Sequence, residues 1–260
     1  MSDTNPFIYD SAGIMILLVT LALVPFVALM VTSFIKLVVV MNLLRQAMGL
    51  QQVPPNMVLN GLAIVLTIYI MAPTLQESIQ RVTEANTTLE DRKAHPDTFK
   101  LPPSMQPFVK KQSSDWLANL FPAAQTVRNK ADELGAILGY VKQPLTDFLL
   151  RHSSPKHRAF FKSVAKKLWP KAYLEDLDDS SLLLIVPSFV LSELTAAFEI
   201  GFLIYLPFIV IDLVVSNILL AMGMMMVSPV TISLPFKLLL FVMVNGWTLL
   251  IQGLVRGYVI

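Results

Sequence analysis

The chain has 260 residues, of which 55% are hydrophobic, with a mean hydropathy of +0.63 and a formal net charge of +2. Soluble domains are usually about 45–50% apolar, so this composition is typical of a membrane-associated protein. The absence of cysteine excludes disulfides and thiolate chemistry, and the small net charge argues against a nucleic-acid partner.

The charged residues are concentrated in the middle of the chain. Residues 76–180 contain 16 of the 20 Lys/Arg and 13 of the 18 Asp/Glu, which leaves 4 basic and 5 acidic residues elsewhere. This distribution predicts three regions: an N-terminal hydrophobic helical hairpin (1–75), a polar, mainly helical domain (76–180) and a C-terminal hydrophobic helical hairpin (181–260). The predicted fold class is all-α and membrane-associated.

The first apolar block runs from Ile14 to Leu44 and from Met57 to Pro73. A helix needs about 20 apolar residues to cross a bilayer, so the first stretch predicts a kinked helix or a helix pair. A turn at Gly49–Pro55 separates the two arms, and we expect Pro73 to end the second arm. Lys36 and Arg45 favour a cytoplasmic turn, which makes the long polar region extracytoplasmic.

Helical patterns return in the polar region at Ala123–Tyr140 and at Leu145–Trp169. The second pattern is amphipathic, and its polar side carries Lys156, Arg158, Lys162, Lys166 and Lys167. A solvated amphipathic helix is favoured over a helix that lies on an anionic lipid surface. The second apolar block then runs over Leu182–Val227 and Val230–Ile260, and predicts a hairpin whose tip is Gly223–Pro235.

Three carboxylates, Glu193, Glu199 and Asp212, lie inside this nearly uncharged block. An unpaired charge facing lipid is costly, so we expect these side chains to make inter-helix or inter-subunit charge contacts, preferably between subunits. Their candidate partners are Lys36, Arg45, Lys237 and Arg256. Glu193 and Glu199 are six residues apart and therefore lie on different helix faces, which argues against an acid pair.

The sequence predicts no catalytic, cofactor or metal site. The three histidines are His95, His152 and His157, and the last two are five residues apart, a poor match for two ligands on one helix face. A zinc site would also need at least a third protein ligand. The chain contains neither a phosphate-binding glycine loop nor a serine nucleophile elbow, so we expect a protein that is not an enzyme.

The run Met224-Met225-Met226 lies at the predicted hairpin tip. A methionine cluster in apolar sequence usually fills a core, but a hairpin tip is a poor place for a core. Methionine is unbranched and polarisable, so a ring of such tips would form a soft apolar constriction that resists ions by dewetting.

These segments together resemble the FliP/SctR family of type III secretion export-gate proteins, and the injectisome branch more than the flagellar branch. The resemblance is carried by Pro187–Phe202, Leu206–Phe208, Ile211–Val214, Ala221–Val227, Leu234–Leu238 and Gly246-Trp247, and in the first block by Thr32–Lys36, Leu43–Arg45 and Pro54–Asn56. It therefore covers both apolar blocks.

The resemblance implies a core subunit of the export gate at the bacterial inner membrane. Such a subunit forms a pentamer-like, helically rising ring with the related hydrophobic subunits SctS/FliQ and SctT/FliR, contacts larger export-gate and basal-body proteins, and conducts unfolded polypeptides. It also implies that Met224, Met225 and Met226 form the pore gasket, and that the assembled complex projects to the periplasmic side.

Two alternatives remain open on the sequence. A proton- or cation-coupled transporter would use Glu193, Glu199 and Asp212 as ion sites in broken helices. A membrane-bound scaffold would instead work through the polar region, around Thr83–Lys130.

Overall fold

A computed structural model describes the backbone of residues 11–50, 53–94, 100, 102–105, 137, 139–169, 181–224 and 226–259. These residues form helices and turns and no strand, which confirms the all-α fold class. The helices described are, in chain order, α1 (Ser11–Met30), α2 (Phe34–Ala47), α3 (Asn56–Ala94), α4 (residues 139–152), α5 (Pro155–Leu168), α6 (Leu182–Ala221), α7 (Pro229–Met243) and α8 (Gly246–Arg256).

The first apolar stretch is a helix pair. Pro25 lies inside α1, and the break falls later, at residues 31–33, where the chain bends by 66° between Leu21–Met30 and α2. The buried residues of α2 repeat at helical spacing, with Leu37, Val40, Met41 and Leu44 at most 1% exposed. This spacing places them on one face, so α2 turns its apolar side towards the rest of the fold.

Helix α3 continues through Pro73, so the expectation that this proline ends the second arm is wrong. A proline removes only one hydrogen bond from a helix ladder, and the residues that follow Pro73 are good helix formers. The Glu77–Arg81 ion pair, at 2.7 Å between Oε1 and Nη2, supports the helix one turn later at i,i+4 spacing.

The helix predicted at Leu145–Trp169 is two helices. Ser154 has an extended backbone (φ −64°, ψ 133°) and Pro155 occupies the first helical position of α5. The residue before a proline is pushed out of the α conformation, which explains the break. Most of the other predicted helix, Ala123–Tyr140, lies outside the described residues.

The second apolar block differs from its prediction at two points. The turn between α6 and α7 spans residues 222–228, and Pro235 lies inside α7, so the tip is shorter than Gly223–Pro235. The second arm is also broken: α7 and α8 bend by 60° at residues 244–245, where Asn245 has a left-handed backbone (φ 51°). Asparagine adopts this conformation more readily than most residues.

The contacts within the chain divide it into two compact units, residues 1–71 with 152–260, and residues 72–151. The core of the first unit is built on α2, which packs most extensively on α6. Leu59 and Ala63 of α3, Ala197 and Phe208 of α6, and Phe241 of α7 complete this core together with Leu250 and Leu254 of α8. At Gly201 the helices approach so closely that a Cβ would overlap the Leu43 side chain.

The second unit has a smaller core around Tyr140, which packs with Ala85, Met105 and Ile137. The Tyr140 hydroxyl donates to Glu84, and the Arg81 guanidinium lies 4.6 Å from the centroid of its ring. The hydrogen bond to Glu84, followed by burial, raises the pKa of Tyr140 above its ordinary value.

Within the part of the chain that the structure describes, two helices are long and apolar enough to cross a membrane: residues Asn56–Asp91 of α3 and all of α6. Up to four spans result if each of the bent pairs α1–α2 and α7–α8 counts as one. In the most apolar 18-residue stretch of α3, only 17% is buried inside the chain, and the share is the same in α6. Both helices therefore leave most of their apolar surface for lipid or for other proteins.

Candidate functional site

The turn between α6 and α7 has a shape that its sequence explains. Gly223 has a positive φ of 72°, its N–H donates to the Leu220 carbonyl at 3.0 Å, and the Met224 N–H donates to the Leu219 carbonyl at 2.9 Å. This pair of bonds is the Schellman motif, which ends a helix at a left-handed glycine. Pro229 then occupies the first position of α7, where its missing N–H costs nothing.

The methionines that the structure describes in and beside this turn are exposed. Met226 is fully exposed and Met224 is 44% exposed, while Met225 lies outside the described residues. Met222, which precedes the glycine, is 59% exposed. The described part of the run is therefore free surface at the end of a long hairpin, and contributes nothing to the core of the chain itself.

An ion pair between a buried lysine and a partly exposed aspartate holds the hairpin behind this tip. Lys237 of α7 lies 2.7 Å from Asp212 Oδ2 of α6, and its ammonium group also donates to the Ala47 carbonyl at 3.2 Å. Ser233 donates to the other carboxylate oxygen of Asp212 at 2.6 Å. Because Ala47 is the last residue of α2, this cation also lies at the negative end of that helix. Three helices thus meet at one lysine.

A second ion pair joins α2 to the other half of α6. Lys36 Nζ lies 3.0 Å from Glu193 Oε1, and the two side chains are 9% and 3% exposed. The Tyr258 hydroxyl donates to Glu193 Oε2, so both carboxylate oxygens are used. Lys36 also lies over the Tyr258 ring, 4.0 Å from its centroid. A buried carboxylate requires such complete pairing.

These pairs lie between helices of one chain, whereas the sequence interpretation favoured partners across a subunit boundary. The remaining candidates are arranged differently. Glu199 is exposed and pairs with no basic residue among those that the structure describes. Arg45 donates to Asn56 and to the Pro54 carbonyl, and so closes the α2–α3 turn, while Arg256 is exposed.

The structure does not gather the acidic side chains into one site. Glu193 is held by Lys36 and Asp212 by Lys237, each at a different place along α6. A coupled transporter needs carboxylates that exchange a proton or an ion during the transport cycle. Fully paired structural carboxylates argue against that use.

The histidines have packing contacts. His157 Nδ1 and the Ser154 N–H both lie 2.8 Å from Ser192 Oγ, which fixes the first turn of α5 against α6. The His152 ring packs at 5.0 Å from the Tyr258 ring, and His95 lies outside the described residues. Over the described part of the chain, no three His, Asp or Glu side chains come together in a way that could hold a metal ion.

Sequence reasoning missed Tyr258 and Ser233. Ser233 precedes Lys237 by one helical turn, so the spacing of the two residues was a usable signal for a shared acidic partner. Tyr258 follows the last helix, and nothing in its neighbourhood predicts a contact with Glu193, which is 65 residues away.

An apolar groove of about 390 Å³ runs along the α6–α7 hairpin. It is lined by Val210, Val214 and Ile218 from α6 and by Ile232 and Phe236 from α7. The exposed side chains of α6 extend this surface, and they include Phe198, Phe202, Leu206 and Leu213. Exposed apolar patches of this extent mark contact with lipid or with partner proteins.

Comparison with known proteins gives one consistent result. The chain is 45% identical over 252 residues to the Yop proteins translocation protein R of Yersinia pestis, which covers 96% of this chain and 97% of the relative. It is 40% identical to the hypersensitivity response secretion protein HrcR of Ralstonia nicotianae over 96% of this chain and 98% of the relative. It is also 40% identical to the virulence protein YscR of Salmonella typhimurium, over 93% and 94% of the two chains. The FliP family model matches residues 17–137 and 103–254, so this chain belongs to the FliP family.

Proposed function

We propose that this chain is a core subunit of the type III secretion export gate, at the bacterial inner membrane, and that it helps to form the channel for unfolded proteins. The observation that carries this proposal is the near-complete alignment with proteins named for translocation and secretion. The two helices that are long and apolar enough to cross a membrane support its location. The paired carboxylates favour this function over a coupled transporter.

The partners that we infer are other hydrophobic helices. Helix α6 exposes phenylalanine and leucine side chains along most of its length, which a solitary soluble chain would bury. Sister copies in a pentamer-like, helically rising ring would cover part of this surface, and subunits related to SctS/FliQ and SctT/FliR would cover the rest. A rising ring uses contacts between unlike faces and leaves an end for a different subunit.

Within that ring, Met224, Met225 and Met226 would form the gasket of the pore. The exposure of Met224 and Met226 at the end of a hairpin supports this role, because the two side chains are available to sister tips. Flexible thioether side chains would close around polypeptides of different shape, and an apolar constriction would exclude ions when no polypeptide is present. The protein would act as a passive conduit and would perform no catalytic step itself.

The gasket is tested by changing Met224, Met225 and Met226 together to alanine in the assembled complex. We expect assembly to persist and the ion conductance of membranes that contain the complex to rise, since the smaller side chains leave the constriction open. Met57→Ala is the matched control, because Met57 is 85% exposed but lies at the start of α3. Unchanged conductance of an assembled triple variant would exclude the gasket role.

Export itself is tested by deleting the gene in its own bacterium and measuring secreted proteins in the culture medium. We expect type III secretion to stop and to return with the wild-type chain. A coupled transporter predicts another outcome: Glu193→Gln and Asp212→Asn would abolish ion-coupled flux and leave assembly intact. Our proposal predicts that these two variants weaken the folded subunit and its oligomer.

A scaffold that works through the polar region is distinguished by a deletion within Thr83–Lys130. Under the scaffold hypothesis, that deletion removes function while bulky changes at Met224 and Met226 are harmless. Under our proposal, bulky changes at these methionines block secretion, because they obstruct the channel. Most of the deleted segment lies outside the described residues, so this experiment tests function alone.

A further inference from the structure

The bend between α7 and α8 is centred on one residue. Asn245 has a left-handed backbone, which asparagine adopts more readily than other side-chain-bearing residues, and α8 leaves α7 at 60°. Taken together, the two helices are long and apolar enough for one membrane span, so their sequence is also compatible with a continuous helix. Such a conformation persists only where surrounding contacts hold it in place.

Two sets of contacts favour the bent form. On the inside of the bend, Gly246 packs so closely on the Phe241 ring that any Cβ would overlap it, and Trp247 meets the same ring edge-on at 5.5 Å. Further along α8, Leu250 and Leu254 are buried in the core of the first unit. These contacts are apolar and depend on close packing.

The directional contact comes from Tyr258, in the turn after α8. Its hydroxyl donates to Glu193 of α6, and its ring carries the Lys36 ammonium of α2 at 4.0 Å. Tyr258 follows the bend by 13 residues, or about 20 Å of helix. Straightening a 60° bend would therefore carry it roughly 20 Å from Glu193. The Tyr258 contacts and a straight α7–α8 helix exclude each other.

We propose that Tyr258 is a latch that holds α8 in the bent position, and that α7 and α8 form a two-state element. In the latched state Tyr258 contacts both members of the Lys36–Glu193 pair, and α8 packs on the core. In the released state α7 and α8 join into one helix, which extends the second arm of the hairpin that carries Met224 and Met226. This proposal goes beyond the export function and does not depend on it.

The test uses the absence of native cysteine, which leaves introduced cysteines as the only labelling sites. Spin labels at Leu203→Cys on α6 and Gln252→Cys on α8 report the position of α8, and both residues are exposed. Double electron–electron resonance is measured on the full chain, in complexes that contain mostly unlabelled copies. We expect one narrow distance distribution, and in Tyr258→Leu a second population displaced by up to about 10 Å.

Tyr258→Phe keeps the ring over Lys36 and removes the hydroxyl, so we expect a smaller displaced population than in Tyr258→Leu. If Tyr258→Leu does not fold, Tyr258→Phe alone tests the proposal. Tyr205→Phe is the matched control, since Tyr205 packs beside the same core and lies 12 residues, or about 18 Å of helix, from Glu193 along α6. Distributions identical to wild type in both folded Tyr258 variants, or in the phenylalanine variant when it alone folds, would overturn the proposal. A shift of equal size in the Tyr205 control would also do so.

Discussion

Lys237 is almost completely buried, and its charge is balanced by Asp212 and by the Ala47 carbonyl. Burying a charge without a partner is unfavourable, and the loss of one partner usually costs more than the pair contributes. The Lys237–Asp212 and Lys36–Glu193 pairs are therefore points where a single conservative change has a large effect on stability.

We predict that Asp212→Asn lowers the free energy of unfolding by roughly 2 kcal/mol. This is less than the ~3–5 kcal/mol typical of a broken buried pair, because the Asp212 side chain is 36% exposed. Thermal unfolding of the purified protein in detergent measures the effect. Adding Lys237→Met should restore part of the loss, because it removes the unpaired charge. A double variant less stable than Asp212→Asn would contradict this account.

The raised pKa of Tyr140 predicts how the stability of the second unit depends on pH. Its pKa in the folded chain lies above the ordinary value of 10.0, mainly because its hydroxyl donates to Glu84. The stability that a raised pKa contributes is fully present at pH values below the pKa of the unfolded state. It is lost as the pH rises through the pKa of the folded state. We therefore expect stability to fall above about pH 10. The fall should be smaller in Tyr140→Phe, as measured by thermal unfolding over a pH series.

At the scale of helices, hydrophobic runs in the sequence predicted the positions of the helices, but prolines were poor predictors of helix ends. Pro73 and Pro235 lie inside helices, whereas Pro155 and Pro229 begin them. A proline inside a helix removes one hydrogen bond, whereas a proline at the first position removes none, so the surrounding residues decide whether an internal proline is tolerated. The bend at Asn245 could not be predicted, because it depends on distant contacts, such as that between Tyr258 and Glu193.

The contact between α2 and α6 depends on Gly201. We predict that Gly201→Ala costs about 1–3 kcal/mol, because the new methyl group overlaps Leu43 in a close-packed interface. Leu43→Ala should reduce the cost of Gly201→Ala when the two are combined. Gly253→Ala on α8 is the control, since no other atom lies within 4 Å of its Cβ position.

The control should itself raise stability by up to about 1 kcal/mol, because alanine favours helix more than glycine does. Both variants are compared by thermal unfolding in the same detergent. Equal effects of Gly201→Ala and Gly253→Ala would show that helix–helix contact at Gly201 is unimportant.

At the scale of the whole molecule, the sequence predicted the all-helical class and the FliP family. The site was less predictable. Glu193, Asp212, Lys36 and Lys237 stood out because charges are rare in apolar sequence, but their pairing depends on which helices touch. A single sequence does not contain that information, since α2 and α6 are separated by more than 130 residues. The contacts that cover the exposed face of α6 are a property of the assembly.

Gly223 determines the path of the chain at the methionine turn through its backbone alone, since no other atom lies within 4 Å of where its side chain would begin. Of the residues that follow it, Met226 is fully exposed and Met224 is 44% exposed. Selection can therefore alter the chemistry of the tip without endangering folding. Met224 and Met226 can therefore be replaced by larger, smaller or charged residues with little effect on the fold, provided that the glycine stays.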